Sequence, residues 1–63
     1  MRERLRSHAV GDTWILLVED SDDVRALMTL ILEAEGYHVD SAHTAEEGLR
    51  LLDAGAYDLV LSD

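Results

Sequence analysis

Residues 14–20 read WILLVED, an apolar run from Trp14 to Val18 that leads directly into Glu19 and Asp20. The run shows no alternation of polar and apolar residues. This pattern is typical of a strand that is covered on both faces, as in a parallel sheet. We therefore predict a first strand that is buried along its length and ends in two carboxylates.

A helix is predicted directly after this strand. Asp20 or Ser21 can cap its start, and Gly36 suits the left-handed conformation that ends a helix. Between them, apolar residues recur at helical spacing. These residues, which predict the core-facing side of an amphipathic helix, are Val24, Leu27, Met28, Ile31 and Leu32.

A second strand and a second helix follow. Residues 37–42 form a short, more polar stretch that suits the edge of a sheet. Thr44 and Glu47 form a capping-box signature in front of a helix that extends to about Ala54. Gly48 lies inside this helix and is expected to weaken it by about 1 kcal/mol relative to alanine.

Residues 57–62 are predicted to form an apolar third strand, which Asp63 follows. The order βαβαβ predicts a parallel sheet, because strands joined through right-handed helical crossovers run in the same direction. With the first strand in the centre, the spatial order is 2-1-3 and one helix covers each face. This arrangement begins the flavodoxin-like, doubly wound α/β fold, whose ligand crevice lies between strands one and three.

Three acids are predicted to meet at this crevice: Glu19, Asp20 and Asp63. Three carboxylates at one point repel each other, whereas Mg2+ prefers oxygen ligands and relieves the repulsion. An open coordination position then suits a phosphoryl oxygen, and Asp63 can act as a nucleophile that forms an aspartyl phosphate. The alternative is that these acids are ordinary solvated residues at strand ends.

Four segments carry a resemblance to a known family. They are ILLVED at 15–20, EGYHV at 35–39, AEEGL at 45–49 and YDLVLSD at 57–63. Over about residues 14–63 the chain resembles the response-regulator receiver domains of two-component signalling. The resemblance implies that Asp63 is the phosphoacceptor, that Asp20 is a direct Mg2+ ligand and that Glu19 holds the metal through water.

The resemblance also implies a partner and a type of activity. The phosphoryl donor would be a phosphohistidine on a sensor histidine kinase or a phosphotransfer protein. The chain would not be an enzyme, beyond its own phosphorylation from a phosphodonor.

A complete receiver has two further strands and three further helices, so the resemblance implies a truncated receiver that retains only the amino-terminal part. A hydroxyl residue and a lysine that act on the phosphoryl group would be missing, and the chain contains no lysine. We therefore expect impaired phosphorylation and an exposed third strand that favours self-association. The alternatives are a non-catalytic interaction fragment that pairs through this open sheet edge, or a non-functional truncated product.

Composition limits the remaining possibilities. The 63 residues allow one domain, with residues 1–12 as a polar, flexible leader and residues 13–63 as the partial receiver. The formal charge of −9 disfavours direct binding to nucleic acid or anionic membranes. No apolar stretch approaches the ~20 residues of a membrane-spanning helix, so a cytoplasmic location is expected. Three histidines are expected at the surface: His8, His38 and His43.

Overall fold

The computed structural model describes residues 10–62. A short 3-10 turn at Val10–Asp12 precedes three strands and two helices. The strands are β1 (Trp14–Val18), β2 (His38–Ala42) and β3 (Leu59–Ser62), and the helices are α1 (Asp22–Ala34) and α2 (Ala45–Ala54). The predicted leader falls mostly on residues 1–9, which lie outside the described residues, as does Asp63.

The three strands form one parallel sheet. Strand β1 pairs with β2 on one side and with β3 on the other, in the order β2-β1-β3. The predicted α/β architecture with strand order 2-1-3 is therefore confirmed, and it corresponds to the start of a flavodoxin-like, doubly wound fold.

The centre of β1 forms the core. Ile15, Leu16 and Leu17 are each 1–2% exposed, and Ala42 of β2 is buried beside them. Successive strand residues face opposite sides of the sheet. Leu16 lies on the side of α2, whereas Leu17 lies on the side of α1. The continuous apolar run is thus explained by a central strand with a helix on each face.

Both helices begin at side-chain caps. Ser21 Oγ accepts a hydrogen bond from the Val24 amide at 3.3 Å, and Thr44 Oγ1 accepts one from the Glu47 amide at 3.0 Å. The Glu47 carboxylate accepts from the His43 amide at 3.1 Å, one residue before the cap. The Glu47 carboxylate therefore binds the amide of His43 and not that of Thr44, which the capping-box signature predicts.

Helix α1 ends as the sequence predicts, but its apolar side is less buried than expected. Gly36 follows the helix with a φ of 99°, in the left-handed region. No residue of α1 is fully buried, and Leu27 and Ile31 are 57% and 54% exposed. The prediction that these two residues belong to the core is wrong. Within residues 10–62, α1 packs on β2 and β1, and part of its apolar side lies beyond these contacts.

Strand β3 begins at Leu59, two residues later than predicted. The Asp58 amide donates to the Trp14 carbonyl at 2.8 Å, while the Trp14 amide donates to the Asp58 carboxylate, also at 2.8 Å. A side chain thus replaces the backbone acceptor that a regular ladder would use. The ladder therefore starts only at the next pair, Ile15 and Leu59.

Gly48 has a packing role that the sequence did not reveal. It is the buried residue of α2, and a Cβ placed on it would lie 2.8 Å from Val18 Cγ2. Only a residue without a side chain lets the helix approach β1 this closely. The helix-weakening glycine is therefore required by the contact between α2 and the sheet.

Gly48→Ala is expected to destabilise the fold by about 1 kcal/mol. Alanine improves helix propensity by about 1 kcal/mol, but overpacking costs about 1–3 kcal/mol and the β-branched Val18 cannot easily rotate away. Urea unfolding followed by circular dichroism measures the change. Gly11→Ala is the control, because nothing lies within 4 Å of its Cβ position. A Gly48→Ala variant more stable than wild type would contradict the steric argument.

Candidate functional site

The carboxyl ends of β1 and β3 lie side by side. Val18 and Ser62 are paired in the parallel register, and each immediately precedes an acid in the sequence, Glu19 and Asp63. The structure places Glu19 and Asp20 just beyond the end of β1. Asp63 lies outside the described residues, so its predicted position beside them stays a prediction.

Glu19 is held by both its backbone and its side chain. Its amide donates to the Ala42 carbonyl at 3.0 Å, and its carboxylate accepts from the Ser21 amide at 3.1 Å. The residue is half-buried, whereas Asp20 is exposed. One carboxylate is thus oriented by the loop between β1 and α1, and the other faces solvent.

Arg25 was not predicted to contact this loop. Its guanidinium donates to the Glu19 carbonyl at 3.0 Å and to the Asp22 carboxylate at 2.6 Å. The spacing of three residues between Asp22 and Arg25 on a helix was the available sequence signal for the ion pair. The contact with the Glu19 carbonyl depends on the path of the loop between β1 and α1, and it connects this loop to α1.

The carboxylates of Glu19 and Asp20 are not neutralised by the arginines of the described part of the chain. Arg25 pairs with Asp22, and Arg50 lies 3.8 Å from Glu46 on α2. Negative charge therefore remains at the carboxyl end of β1. This charge favours a cation at this edge of the sheet.

The donor atoms at this edge suit Mg2+. Carboxylate oxygens are its preferred protein ligands, and one or two are sufficient because the ion keeps several waters. Residues 10–62 contain no group of three or more acidic, histidine or cysteine side chains arranged to hold a metal. Glu19 and Asp20 therefore fit as part of a ligand set, and the predicted set requires Asp63 as well.

A groove opens beside Glu19 between β1 and β3. It has a volume of about 350 Å3 and extends from Glu19 down the α1 side of the sheet. Its other lining residues are Leu17, Val18, Met28, Leu61 and Ser62. The groove thus lies between β1 and β3 and reaches the carboxyl end of β1 at Glu19.

The two histidines within the described residues are exposed, as predicted. His43 Nδ1 lies 2.9 Å from the Glu47 carboxylate. His38 lies 2.6 Å from the Gly11 carbonyl through Nε2, and its ring stacks on Trp14 with centroids 4.5 Å apart. Each ring therefore has a structural partner, and His8 lies outside the described residues.

Comparison with known proteins identifies the family of this fold. The family model of the response regulator receiver domain matches residues 15–63. The chain belongs to the response regulator receiver family. The receiver match includes both the acid pair after β1 and the position of Asp63.

The relatives of this receiver are transcriptional regulatory proteins. It is 45% identical over 49 residues to YkoG of Bacillus subtilis, and to GlrR and CpxR of Escherichia coli. Each match covers 78% of the receiver chain, but only 22% of YkoG, 11% of GlrR and 21% of CpxR. The chain thus spans at most about a fifth of these proteins. No solved structure matched it significantly.

The family assignment makes the chain a signalling module of the phosphorelay type. Within residues 10–62, neither helix has the length and apolar character needed to cross a membrane.

Proposed function

We propose that this receiver accepts a phosphoryl group on Asp63, with Mg2+ held by Glu19, Asp20 and Asp63. The observation that carries the proposal is the parallel pairing of Val18 with Ser62. This pairing brings the chain positions before Glu19 and Asp63 together at one sheet edge. The unneutralised acid pair supports a cation at the same edge.

The proposed reaction is a direct transfer. A carboxylate oxygen of Asp63 forms a bond to phosphorus while the bond from phosphorus to the donor nitrogen breaks. The nitrogen keeps the electron pair of that bond, and the product is an aspartyl phosphate. Bound Mg2+ would supply charge neutralisation for the phosphoryl oxygens. The hydrogen bond from the Ser21 amide to the Glu19 carboxylate and the exposure of Asp20 support their proposed roles as ligands.

The proposed donor is a phosphohistidine on a sensor histidine kinase or a phosphotransfer protein, and the proposed location is the cytoplasm. The receiver would be modified once for each transfer and would not turn over a substrate as an enzyme does. The described residues carry twelve acidic side chains and only two arginines, a balance that opposes a direct nucleic-acid or anionic-membrane surface.

Incubation with acetyl phosphate and Mg2+ tests the proposal. We expect intact-mass analysis to show one added phosphoryl group, and we expect EDTA to prevent its appearance. A folded sample without an adduct at any Mg2+ concentration would contradict the proposal.

Asp20→Asn is expected to weaken Mg2+ binding by at least about tenfold, because it removes a charged ligand. Titration calorimetry with Mg2+ or Mn2+ measures the affinity directly. Asp23→Asn is the matched control, since it removes the same charge from an exposed residue in the first turn of α1. Equal affinity losses in the two variants would mean that only general charge, and not ligation by Asp20, is involved.

A further inference from the structure

Two residues just before β3 are bonded to the other two strands of the sheet. Tyr57 Oη donates to the Asp40 carboxylate of β2 at 2.6 Å. Asp58 is bonded to Trp14 of β1 twice, because its amide donates to the Trp14 carbonyl and its carboxylate accepts from the Trp14 amide, both at 2.8 Å. The start of β3 is therefore attached to β1 and to β2 before its backbone ladder begins.

The two bonds between Asp58 and Trp14 favour one register of β3 on β1. A shift by one residue would turn the side chains of β3 to the wrong faces of the sheet. A shift by two residues keeps the faces, and Leu59 and Leu61 are the same residue type, so the apolar pattern opposes this shift less strongly. Such a shift would move Asp58 about 6–7 Å along β1, and both bonds to Trp14 would be lost. The side chains of residues 59–61 are all apolar, so none of them can replace the Asp58 carboxylate as an acceptor.

The register at the start of β3 determines which residue reaches the carboxyl end of β1. In the observed register Val18 pairs with Ser62, and the next residues along the chain are Glu19 and Asp63. One strand residue spans about 3.3 Å, whereas Mg2+ requires oxygen ligands at about 2.0–2.1 Å in near-ideal octahedral geometry. A shift of β3 by even one residue would therefore prevent the two acids from sharing an ion.

We propose that Asp58 is a positioning residue for the phosphoryl-transfer site. Its carboxylate binds the Trp14 amide, this contact sets the register of β3 on β1, and the register brings Asp63 to the acids that follow β1. The role rests on the proposed function of Asp63. Asp58 lies at the opposite end of β3, so it acts through the strand and does not contact the phosphoryl group or the ion.

Nuclear Overhauser contacts between β1 and β3 in the full chain measure the register without a phosphoryl donor or a metal. We expect Asp58→Ala to lose the contacts between Val18 and Ser62. Asp58→Asn is expected to keep them, because its side-chain carbonyl can still accept from the Trp14 amide. Thr44→Ala is the stability control, since it removes the cap of α2 and leaves the bonds of β3 intact. It is also expected to keep these contacts.

The rate of adduct formation with acetyl phosphate and Mg2+ measures the consequence for the site. Rates are compared per folded molecule, with the folded fraction taken from circular dichroism. We expect Asp58→Ala to react at least about tenfold more slowly than wild type, because a misplacement of about 1 Å can cost about a hundredfold in rate. Asp58→Asn and Thr44→Ala are expected to react at close to the wild-type rate.

Three results would overturn the positioning role. The first is an Asp58→Ala chain that keeps the contacts between β1 and β3, and the second is a loss of these contacts with no change in rate. The third is an equal loss of rate in Asp58→Ala and in either Asp58→Asn or Thr44→Ala, which would indicate an effect of charge or of stability.

Failure of the proposed function gives a different result. A wild-type chain that shows the contacts between Val18 and Ser62 but forms no adduct would contradict phosphorylation of Asp63. The contacts in Asp58→Ala and Asp58→Asn would still decide whether Asp58 sets the register of β3.

Discussion

Asp63→Asn is expected to abolish the phosphoryl adduct that acetyl phosphate and Mg2+ form on the wild-type chain. An amide oxygen is a far weaker nucleophile than a carboxylate, and the change also removes a proposed metal ligand. We expect the rate of adduct formation to fall by more than about a hundredfold, because removal of a reacting nucleophile leaves little transfer at that position. Intact-mass analysis over a time course measures the loss.

The control for this experiment is Asp53→Asn. Asp53 is an exposed residue near the end of α2, and its replacement changes the net charge by the same amount. Adduct formation by Asp53→Asn should therefore match wild type. If Asp63→Asn retained the adduct, another acid would be the acceptor, and peptide mapping would identify it. The proposed role of Asp63 would then be wrong.

Leu16→Ala is expected to unfold the chain at 25 °C. Leu16 is 1% exposed at the centre of β1, and truncation of a buried leucine costs about 2–5 kcal/mol. A domain of about 60 residues buries only ~60% of its unfolded surface, and its core rarely supplies more than about 3–5 kcal/mol of stability. The loss is therefore comparable with the whole free energy of unfolding. Far-ultraviolet circular dichroism and urea titration measure it.

Leu30→Ala provides a matched control for the same chemical change. Leu30 is 66% exposed on α1, so its truncation should alter the free energy of unfolding by no more than about 0.5 kcal/mol. A large difference between the two variants would support β1 as the core of the fold. Equal losses would mean that burial in β1 does not determine stability.

Local sequence patterns predicted the elements of this receiver well. The apolar run of β1, the caps at Ser21 and Thr44, and the left-handed Gly36 depend on neighbouring residues along the chain, so they are visible in sequence. The order of strands and helices then predicted the parallel sheet, because the connections allow few topologies. The same reasoning indicated where the acid pair Glu19 and Asp20 would lie.

Contacts between distant elements were less predictable. Periodicity identified the apolar side of α1, but it did not show which of its residues the sheet covers, and Leu27 and Ile31 are exposed in the structure. Propensity marked Gly48 as a weak point of α2, whereas its contact with Val18 makes it necessary. The start of β3 depended on a side-chain bond between Asp58 and Trp14, 44 residues apart in the chain.

The candidate site also has features that the sequence predicted and contacts that only the structure showed. The sequence by itself determined that acidic residues follow the first and third strands, because this depends only on the order of residues along the chain. Only the tertiary structure showed that the Ser21 amide orients the Glu19 carboxylate. It also showed that Arg25 donates to the Glu19 carbonyl and pairs with Asp22, and so does not neutralise the carboxylates of Glu19 and Asp20. Hydrogen bonds of this kind depend on the path of a folded loop in three dimensions, and no periodic pattern along the chain encodes that path.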